Sequence, residues 1–132
     1  MAEQLRHLSI HILRSAQAVY DYASQPLHFA HWASGLGRGL AQQGGAWVAD
    51  TDAGQVVIRF SDRNDFGILD HWVSLPNGQV IYVPLRVIAV GEHSELVFTL
   101  MRQPGMDGAK FAADAAWVKR DLARLKTLLE AA

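Results

Sequence analysis

The sequence predicts an α+β fold in which an antiparallel sheet of about six or seven strands packs against one long C-terminal helix. Three features lead to this prediction: one strand pattern followed by two short helical patterns, a succession of strand patterns separated by turns, and a long final helical pattern. The 132 residues are enough for a domain with a substantial core, and we expect residues 1–132 to form a single domain.

The final helical pattern is the longest in the chain and extends from about Asp107 to Glu130. Asp107 is predicted to accept the first free backbone N–H groups as the N-cap residue. A helix of about 24 residues spans roughly 36 Å, so it needs a partner surface of similar length. Its apolar residues recur at spacings of three and four and are Phe111, Ala115, Val118, Leu122, Leu125 and Leu129.

The N-terminal part of the chain predicts one strand and two short helices. Polar and apolar residues alternate over residues 7–12, which is typical of a strand. Ser15 is predicted to cap the first helix, and Pro26 to begin the second, which extends to about Trp32. We expect both helices to lie together at one end of the sheet.

The middle of the chain predicts an antiparallel meander. Its strand patterns cover residues 47–51, 55–60, 67–75, 79–90 and 95–102. A three-residue Pro-Asn-Gly turn pairs His71 with Val83, and a four-residue turn at 91–94 pairs Val90 with Glu95.

These pairings place one apolar face of the sheet towards the helix. Two polar residues are predicted to share that face, His71 and Arg102, at roughly 10 Å from each other given about 4.8 Å per strand. Asp70 and Arg86 are predicted on the opposite face as a surface ion pair of little energetic value. A bulge at Pro84 would change this assignment, because it would turn the following residues to the other face. The apolar residues of the face are Leu69, Val73, Leu75, Ile81, Val83, Leu85, Val87, Leu96, Phe98 and Leu100.

The composition excludes several classes of protein. The net charge is −1, with acids and bases interspersed, so we expect no nucleic-acid partner. The absence of cysteine excludes disulfides, thiolate nucleophiles and cysteine-ligated zinc. No apolar run is long enough to span a membrane, and residues 1–7 lack the pattern of a signal peptide. We therefore expect a cytoplasmic protein that does not insert into membranes.

Several stretches occur together in an uncommon order. They are residues 10–12 leading into 15–22, then 26–32, Phe-Gly-Ile-Leu-Asp-His at 66–71, Pro-Leu-Arg-Val at 84–87, and 98–106 running into Phe111, Asp114, Val118, Asp121, Leu122, Leu125 and Lys126. This arrangement resembles the helix-grip fold of the START-like, or SRPBCC, superfamily over nearly the whole chain. Within that superfamily, the stretches look similar to a small bacterial subgroup of polyketide cyclase/dehydrase-like proteins.

The resemblance implies a curved sheet that grips the helix, with an apolar cavity between them. It carries no catalytic residue over, because the superfamily shares a cavity and not a mechanism. Small side chains near the start of the helix, at Ala112, Ala115 and Ala116, indicate the most room beneath it. The residues predicted to contact a ligand are Tyr22, Trp32, Leu69, His71, Val83, Leu85, Phe98, Arg102, Phe111, Ala115 and Val118.

Three functions fit these observations. The first is binding or transport of a small hydrophobic molecule, aromatic or lipid-like, with polar contacts from His71, Arg102 or Tyr22. The second is a cyclase/dehydratase-type enzyme acting on a polyketide-like or aromatic substrate, in which His71 moves a proton and Arg102 stabilises an enolate-like charge. The third is a protein-interaction or homodimerisation module that uses the outer sheet face around Trp72 and Tyr82. None of the three requires a cofactor.

His71 and Arg102 also have purely structural interpretations. A core histidine can be satisfied by a backbone carbonyl, and Arg102 can form a salt bridge with an aspartate such as Asp65, Asp114 or Asp121. Five aromatic residues could stack on an aromatic ligand or simply form the core: Phe29, Trp32, Trp47, Phe66 and Trp117.

Two further motifs are weak. His28 and His31 lie one helical turn apart, but the local sequence offers no third ligand, so no metal site is predicted. Gly35, Gly37 and Gly39 alternate in a loop without a following Lys-Ser/Thr or a preceding strand, so no phosphate loop is predicted.

Overall fold

The computed structural model describes residues 4–34 and 39–131. Its strands are β1 (Leu5–Ile12), β2 (Ala41–Gln43), β3 (Ala46–Thr51), β4 (Gly54–Phe60), β5 (His71–Ser74), β6 (Val80–Val83), β7 (Leu85–Val90) and β8 (His93–Met101). Its α-helices are α1 (Ala16–Ala23), α2 (Phe29–Trp32), which follows a 3₁₀ turn at Pro26–His28, and α3 (Gly108–Glu130). Gly35 and Gly37 of the weak phosphate-loop pattern, and residues 1–3, lie outside the described residues.

The strands form two antiparallel sheets, ordered β1-β8-β7 and β2-β3-β4-β5-β6. Only Pro84 separates β6 from β7, so the chain passes directly from one sheet into the other. The Thr99 amide donates to the Pro84 carbonyl at 2.9 Å, and Ile68 forms a bridge with Arg86, so pairing continues across the junction. The two sheets therefore make one connected surface, and α3 packs on it through contacts with β1 and β8. None of the described helices contains a stretch long and apolar enough to cross a membrane.

The predicted stripe of α3 forms the centre of the core. Phe111, Ala115, Leu122, Leu125 and Leu129 are buried, and Val118 is half-buried. All of these except Phe111 pack in one cluster with buried residues of β1, α1 and β8, among them Ile12, Val19 and Leu96. The α+β architecture and the long amphipathic helix are thus confirmed.

The predicted strand over residues 79–90 is not continuous. It divides at Pro84 because proline has no backbone N–H to donate to a ladder. The faces are nevertheless preserved, since Val83, Leu85 and Val87 are all buried. The break changes which sheet each half belongs to and does not change which side the residues face.

Asp70 compensates for the interrupted ladder at this junction. Its carboxylate accepts the Leu85 backbone N–H at 2.9 Å, the Tyr82 hydroxyl at 2.6 Å, and two Arg86 guanidinium bonds at 2.9 and 3.2 Å. Burial by itself would raise the pKa of Asp70, but the bonds from Arg86, Tyr82 and the Leu85 amide outweigh it and lower that pKa. The ion pair with Arg86 was predicted, but its placement on the surface was wrong for Asp70, which is only 5% exposed.

The first predicted hairpin register is confirmed and the second is wrong. His71 pairs with Val83, as the Pro-Asn-Gly turn predicts, although the regular part of this strand begins only at His71. The second hairpin has a two-residue loop, so Val90 pairs with His93 instead of Glu95. The loop begins with Gly91 at φ +62°, and no residue other than glycine has a positive φ in the described chain, which fits a type II′ turn. A shift of two residues keeps every side chain on its predicted face.

One strand has no counterpart in the prediction. β2 comprises Ala-Gln-Gln, all three exposed, and pairs with β3 at the edge of the larger sheet. An exposed edge strand shows no alternation of apolar and polar residues, so the pattern that reveals buried strands is missing here. The first strand also begins earlier than predicted, at Leu5.

The N-terminus of α3 gives a first testable prediction. The Asp107 side chain accepts the Lys110 amide at 2.8 Å, which confirms the predicted cap. We expect Asp107→Ala to lower the free energy of unfolding by about 1 kcal/mol, because a backbone donor loses its partner. Urea unfolding followed by circular dichroism measures this. Asp107→Ser, which retains a capping oxygen, should stay near the wild-type value, and an equal loss in both variants would contradict the capping role.

Candidate functional site

A cavity of about 380 Å³ lies between α3 and the inner face of the sheet. This volume is within the range of sites that hold small organic ligands. The cavity, called the main cavity below, is lined by Phe29, Trp32, Ala33, Thr51, Val56, His71, Val73, Leu75, Val83, Phe98, Trp117, Val118, Asp121 and Leu122. Its walls therefore come from α2, from several strands of both sheets and from the middle of α3.

The exposure of the lining residues separates an inner end from a mouth. Trp32 and His71 are only 2% and 3% exposed, so they mark the inner end. Trp117 is 47% exposed and lies on the helix side of the opening. The main cavity thus runs from the solvent-facing surface of α3 inwards to the junction of α2 and β5.

His71 is held in one orientation at the inner end. Its Nδ1 lies 3.2 Å from the Leu69 carbonyl oxygen, which can only accept, so Nδ1 carries the proton. The Phe29 ring meets the imidazole edge-on at 5.2 Å between centroids, and the Phe60 ring lies 5.9 Å away. Burial lowers the pKa of His71 to about 4, against weaker opposing effects of the Leu69 carbonyl and Asp70. At pH 7 the ring is therefore neutral, and Nε2 is a hydrogen-bond acceptor.

The Trp32 indole carries a donor without a partner. Its Nε1–H is buried and has no hydrogen-bond partner among the described residues. Most buried polar atoms in proteins are hydrogen-bonded, so this donor is an exception. The Trp32 ring lies 4.9 Å from the Phe29 ring, which also contacts His71. One buried donor and one buried acceptor therefore flank the same phenylalanine.

A chain of hydrogen bonds forms one side of the mouth. The Ser34 hydroxyl donates to Asp121 at 2.6 Å and accepts the Trp117 indole N–H at 2.8 Å. The Ser34 amide also donates to Asp121, at 3.3 Å. Partial burial raises the pKa of Asp121, and the hydrogen bonds from Ser34 only partly offset this. These bonds connect α3 to the residues that follow α2.

The predicted site residues divide into three groups. Trp32, His71, Val83, Phe98 and Val118 line the main cavity. Leu69 and Leu85 line a smaller neighbouring cavity of about 180 Å³, which shares Phe29 with the main cavity. The remaining four, Tyr22, Arg102, Phe111 and Ala115, line neither cavity. The main cavity lies beneath residues 117–122, one to two helical turns beyond the alanines near the start of α3.

Arg102 lies beyond the cavity because of the strand register. Leu85 pairs with Phe98 and not with Leu100, which displaces Arg102 by two residues, or about 7 Å, along β8 from its predicted level. Its Nε donates to the Met106 carbonyl at 3.1 Å, and its guanidinium lies over the Phe111 ring. Arg102 thus contacts the start of α3, whereas His71 lies at the inner end of the main cavity.

Tyr22, His28 and His31 form a separate cluster near α2. The Tyr22 hydroxyl lies 2.8 Å from His31 Nδ1, and its ring stacks on His28 at 4.3 Å between centroids. The two histidines stack on each other at 5.4 Å. Within residues 4–34 and 39–131 no group of three or more metal-ligating side chains comes together.

Sequence reasoning missed the polar residues at the mouth. Asp121 lies three residues after Val118 and next to Leu122, so it borders the apolar stripe of α3. Thr51 ends β3, where the strand reaches the cavity. A search for polar residues beside the stripe would have found Asp121, but nothing local distinguishes Thr51. Of the five aromatic candidates, Phe29, Trp32 and Trp117 line the cavity, whereas Phe66 is 81% exposed.

Known structures similar to this fold were found, whereas the comparisons of the sequence found no match. No protein-family model and no curated protein matches the sequence. A START superfamily protein from Mycobacterium smegmatis superposes with a TM-score of 0.65 at 11% identity, covering 97% of this chain and 98% of that one. XoxI from Bacillus cereus has a TM-score of 0.72 at 12% identity and covers 97% and 96%.

The chain has the START-like fold.

Another protein of similar structure is DynU16, described as a putative protein in the dynemicin biosynthetic locus. The TM-score is 0.73 at 18% identity, over 98% of this chain. This chain spans only 48% of DynU16, so it corresponds to about half of that protein. The START-like fold, with a cavity between helix and sheet, fits ligand binding.

Proposed function

We propose that this protein binds or transports a small hydrophobic molecule of aromatic or lipid-like character in the main cavity. The observation that supports this is the cavity itself: about 380 Å³ with a wall composed mainly of apolar and aromatic side chains. Pockets of this size and composition bind ligands by burying apolar surface, and a few polar groups fix the orientation. Here His71, Trp32 and Asp121 are the polar groups at hand.

The electrostatics favour binding over a cyclase/dehydratase-type reaction. A general base works best when its pKa is close to the operating pH, and burial holds the pKa of His71 at about 4. A base this weak removes protons poorly from carbon. Arg102, the expected stabiliser of an enolate-like charge, does not line the cavity. The cavity therefore has the composition of a binding site and lacks the pair of groups that the enzyme hypothesis needs.

The outer sheet face gives less support to an interaction module. Trp72 and Tyr82 stack on each other at 5.3 Å, and Arg59 covers Trp72 at 4.5 Å from its ring centroid. The Tyr82 hydroxyl donates to Asp70, so it belongs to the hydrogen-bond network at the junction of the two sheets. These aromatic residues already have partners within the fold.

Native mass spectrometry of the protein purified from its own host tests the proposal. We expect wild-type protein to carry a bound molecule of defined mass. Val118→Trp should lose it, because Val118 lines the cavity and an indole would fill the space. The matched control is Leu128→Trp on the exposed side of the same helix, away from the cavity, which should keep the ligand.

Two outcomes would contradict the proposal. One is wild-type protein free of any adduct after gentle purification, and the other is an adduct that Val118→Trp retains at the wild-type level. Thermal unfolding of all three proteins shows whether each is folded under the conditions of the measurement.

A further inference from the structure

We propose that the ligand of the main cavity is an uncharged aromatic molecule with an O–H or N–H group that donates a hydrogen bond to Nε2 of His71. This inference rests on the proposed binding function and specifies the chemical class of the ligand. Three observations carry it: the fixed orientation of the imidazole, the distribution of charge among the described lining residues, and the aromatic walls of the cavity.

The orientation of His71 determines what the ligand must supply. Nδ1–H donates to the Leu69 carbonyl, so the other ring nitrogen, Nε2, is the one left to contact a ligand in the cavity that His71 lines. Nε2 has no hydrogen-bond partner among the described residues. A neutral imidazole nitrogen without a proton can only accept, so a ligand satisfies it with an O–H or N–H group.

The charge around the cavity disfavours an acid. Among the described residues that line it there is no lysine or arginine, and the carboxyl group of Asp121 lies at the mouth. A carboxylate ligand buried beside His71 would find no cationic partner among these described residues, which is strongly unfavourable in an apolar site. The guanidinium of Arg120 is nearby but lies over the Trp117 ring, at 5.6 Å from its centroid, on the outer side of the helix.

The aromatic character of the ligand follows from the walls. Phe29, Trp32 and Phe98 surround the inner part of the cavity, and Trp117 lies at the mouth. Flat rings stack favourably on such walls in offset or edge-on geometry. A fused two-ring alcohol therefore combines the expected shape with the expected donor.

Three probes of matched shape test this inference with wild-type protein: 2-naphthol, 2-methoxynaphthalene and 2-naphthoate. The second keeps the oxygen but has no O–H to donate, and the third is an anion at pH 7. Equilibrium dialysis at pH 7 should show 2-naphthol binding about tenfold more tightly than 2-methoxynaphthalene, the value of one hydrogen bond in a buried site. 2-Naphthoate should bind most weakly of the three.

A variant links this preference to one atom. His71→Phe keeps a flat ring and removes Nε2, so the ratio of the affinities for 2-naphthol and 2-methoxynaphthalene should fall from about ten to about one. The ratio is the readout, because His71 lines the cavity and its replacement can change both affinities together. The wild-type comparison stands without the variant if His71→Phe fails to fold.

The possible failures are distinguishable. If 2-methoxynaphthalene binds as tightly as 2-naphthol, or if 2-naphthoate binds at least as tightly as either, the inferred ligand class is wrong and hydrophobic binding stands. If no probe binds but the host-purified protein carries an adduct, the inferred class is again wrong. If no probe binds and no adduct is present, both the class and the binding function are wrong.

Discussion

Replacing Asp70 by alanine should lower the free energy of unfolding by about 2–4 kcal/mol. The variant leaves the Leu85 backbone N–H without its buried acceptor and removes the partner of Arg86 and of the Tyr82 hydroxyl. We expect less than the full effect of a buried ion pair, because the Arg86 side chain is about half exposed and water can solvate it. Urea unfolding monitored by tryptophan fluorescence measures the difference.

Two controls make the Asp70 prediction specific. Asp62→Ala removes an exposed carboxylate from the loop before β5 and should change stability by less than about 0.5 kcal/mol. Asp70→Asn retains one acceptor oxygen and should fall between alanine and wild type. A loss below about 1 kcal/mol in Asp70→Ala would show that water replaces the carboxylate at the junction, and that the interrupted ladder does not depend on it.

The same junction shows where sequence reasoning reaches its limit. Alternation of apolar residues predicts which side of the sheet Val83, Leu85 and Val87 occupy, and it does so correctly on both sides of Pro84. It does not predict that the strand changes sheets, because that depends on what replaces the missing proline N–H. The answer is Asp70, fifteen residues away from Leu85, and no local pattern connects them.

The second hairpin shows a related limit. Two-residue and four-residue loops both preserve the faces of β7 and β8, so the hydrophobic pattern cannot choose between them. Only the backbone of Gly91, with φ +62°, selects the shorter loop. The consequence for the site is large, since the two-residue shift removes Arg102 from the level of His71. An error in the predicted register can therefore leave the predicted core residues unchanged and still place a charged residue wrongly relative to the cavity.

The candidate site was predictable where it depends on the sheet face and unpredictable where it depends on packing. His71, Val83 and Phe98 follow from the alternation of strand residues, and the main cavity includes all three. Asp121 and Thr51 come from elements whose contact is determined only by the angle of α3 on the sheet. The burial of Trp32 without an acceptor for its N–H is likewise a property of the assembled fold.

Stability should fall as the pH is lowered from about 6.5 to about 4, because His71 is neutral in the folded protein. Burial lowers its pKa from the ordinary value of 6.5 to about 4, so over this range the unfolded chain binds a proton that the folded chain does not. The contribution is fully present above pH 6.5 and decreases towards pH 4. Each unit between the two pKa values is worth about 1.4 kcal/mol, so the loss reaches about 3 kcal/mol near pH 4 and about 2 kcal/mol at pH 5.

His71→Leu isolates this contribution, since leucine is apolar and has no proton to bind. Urea unfolding between pH 7.5 and pH 5 should show a decrease in wild-type protein that is about 2 kcal/mol larger than in the variant, whatever their difference at pH 7.5. The remaining titrating groups are common to both proteins and cancel in the comparison. Parallel curves would mean that His71 gains its proton in the folded state near its ordinary pKa. That result would mean that water or a counter-charge offsets the burial of the imidazole.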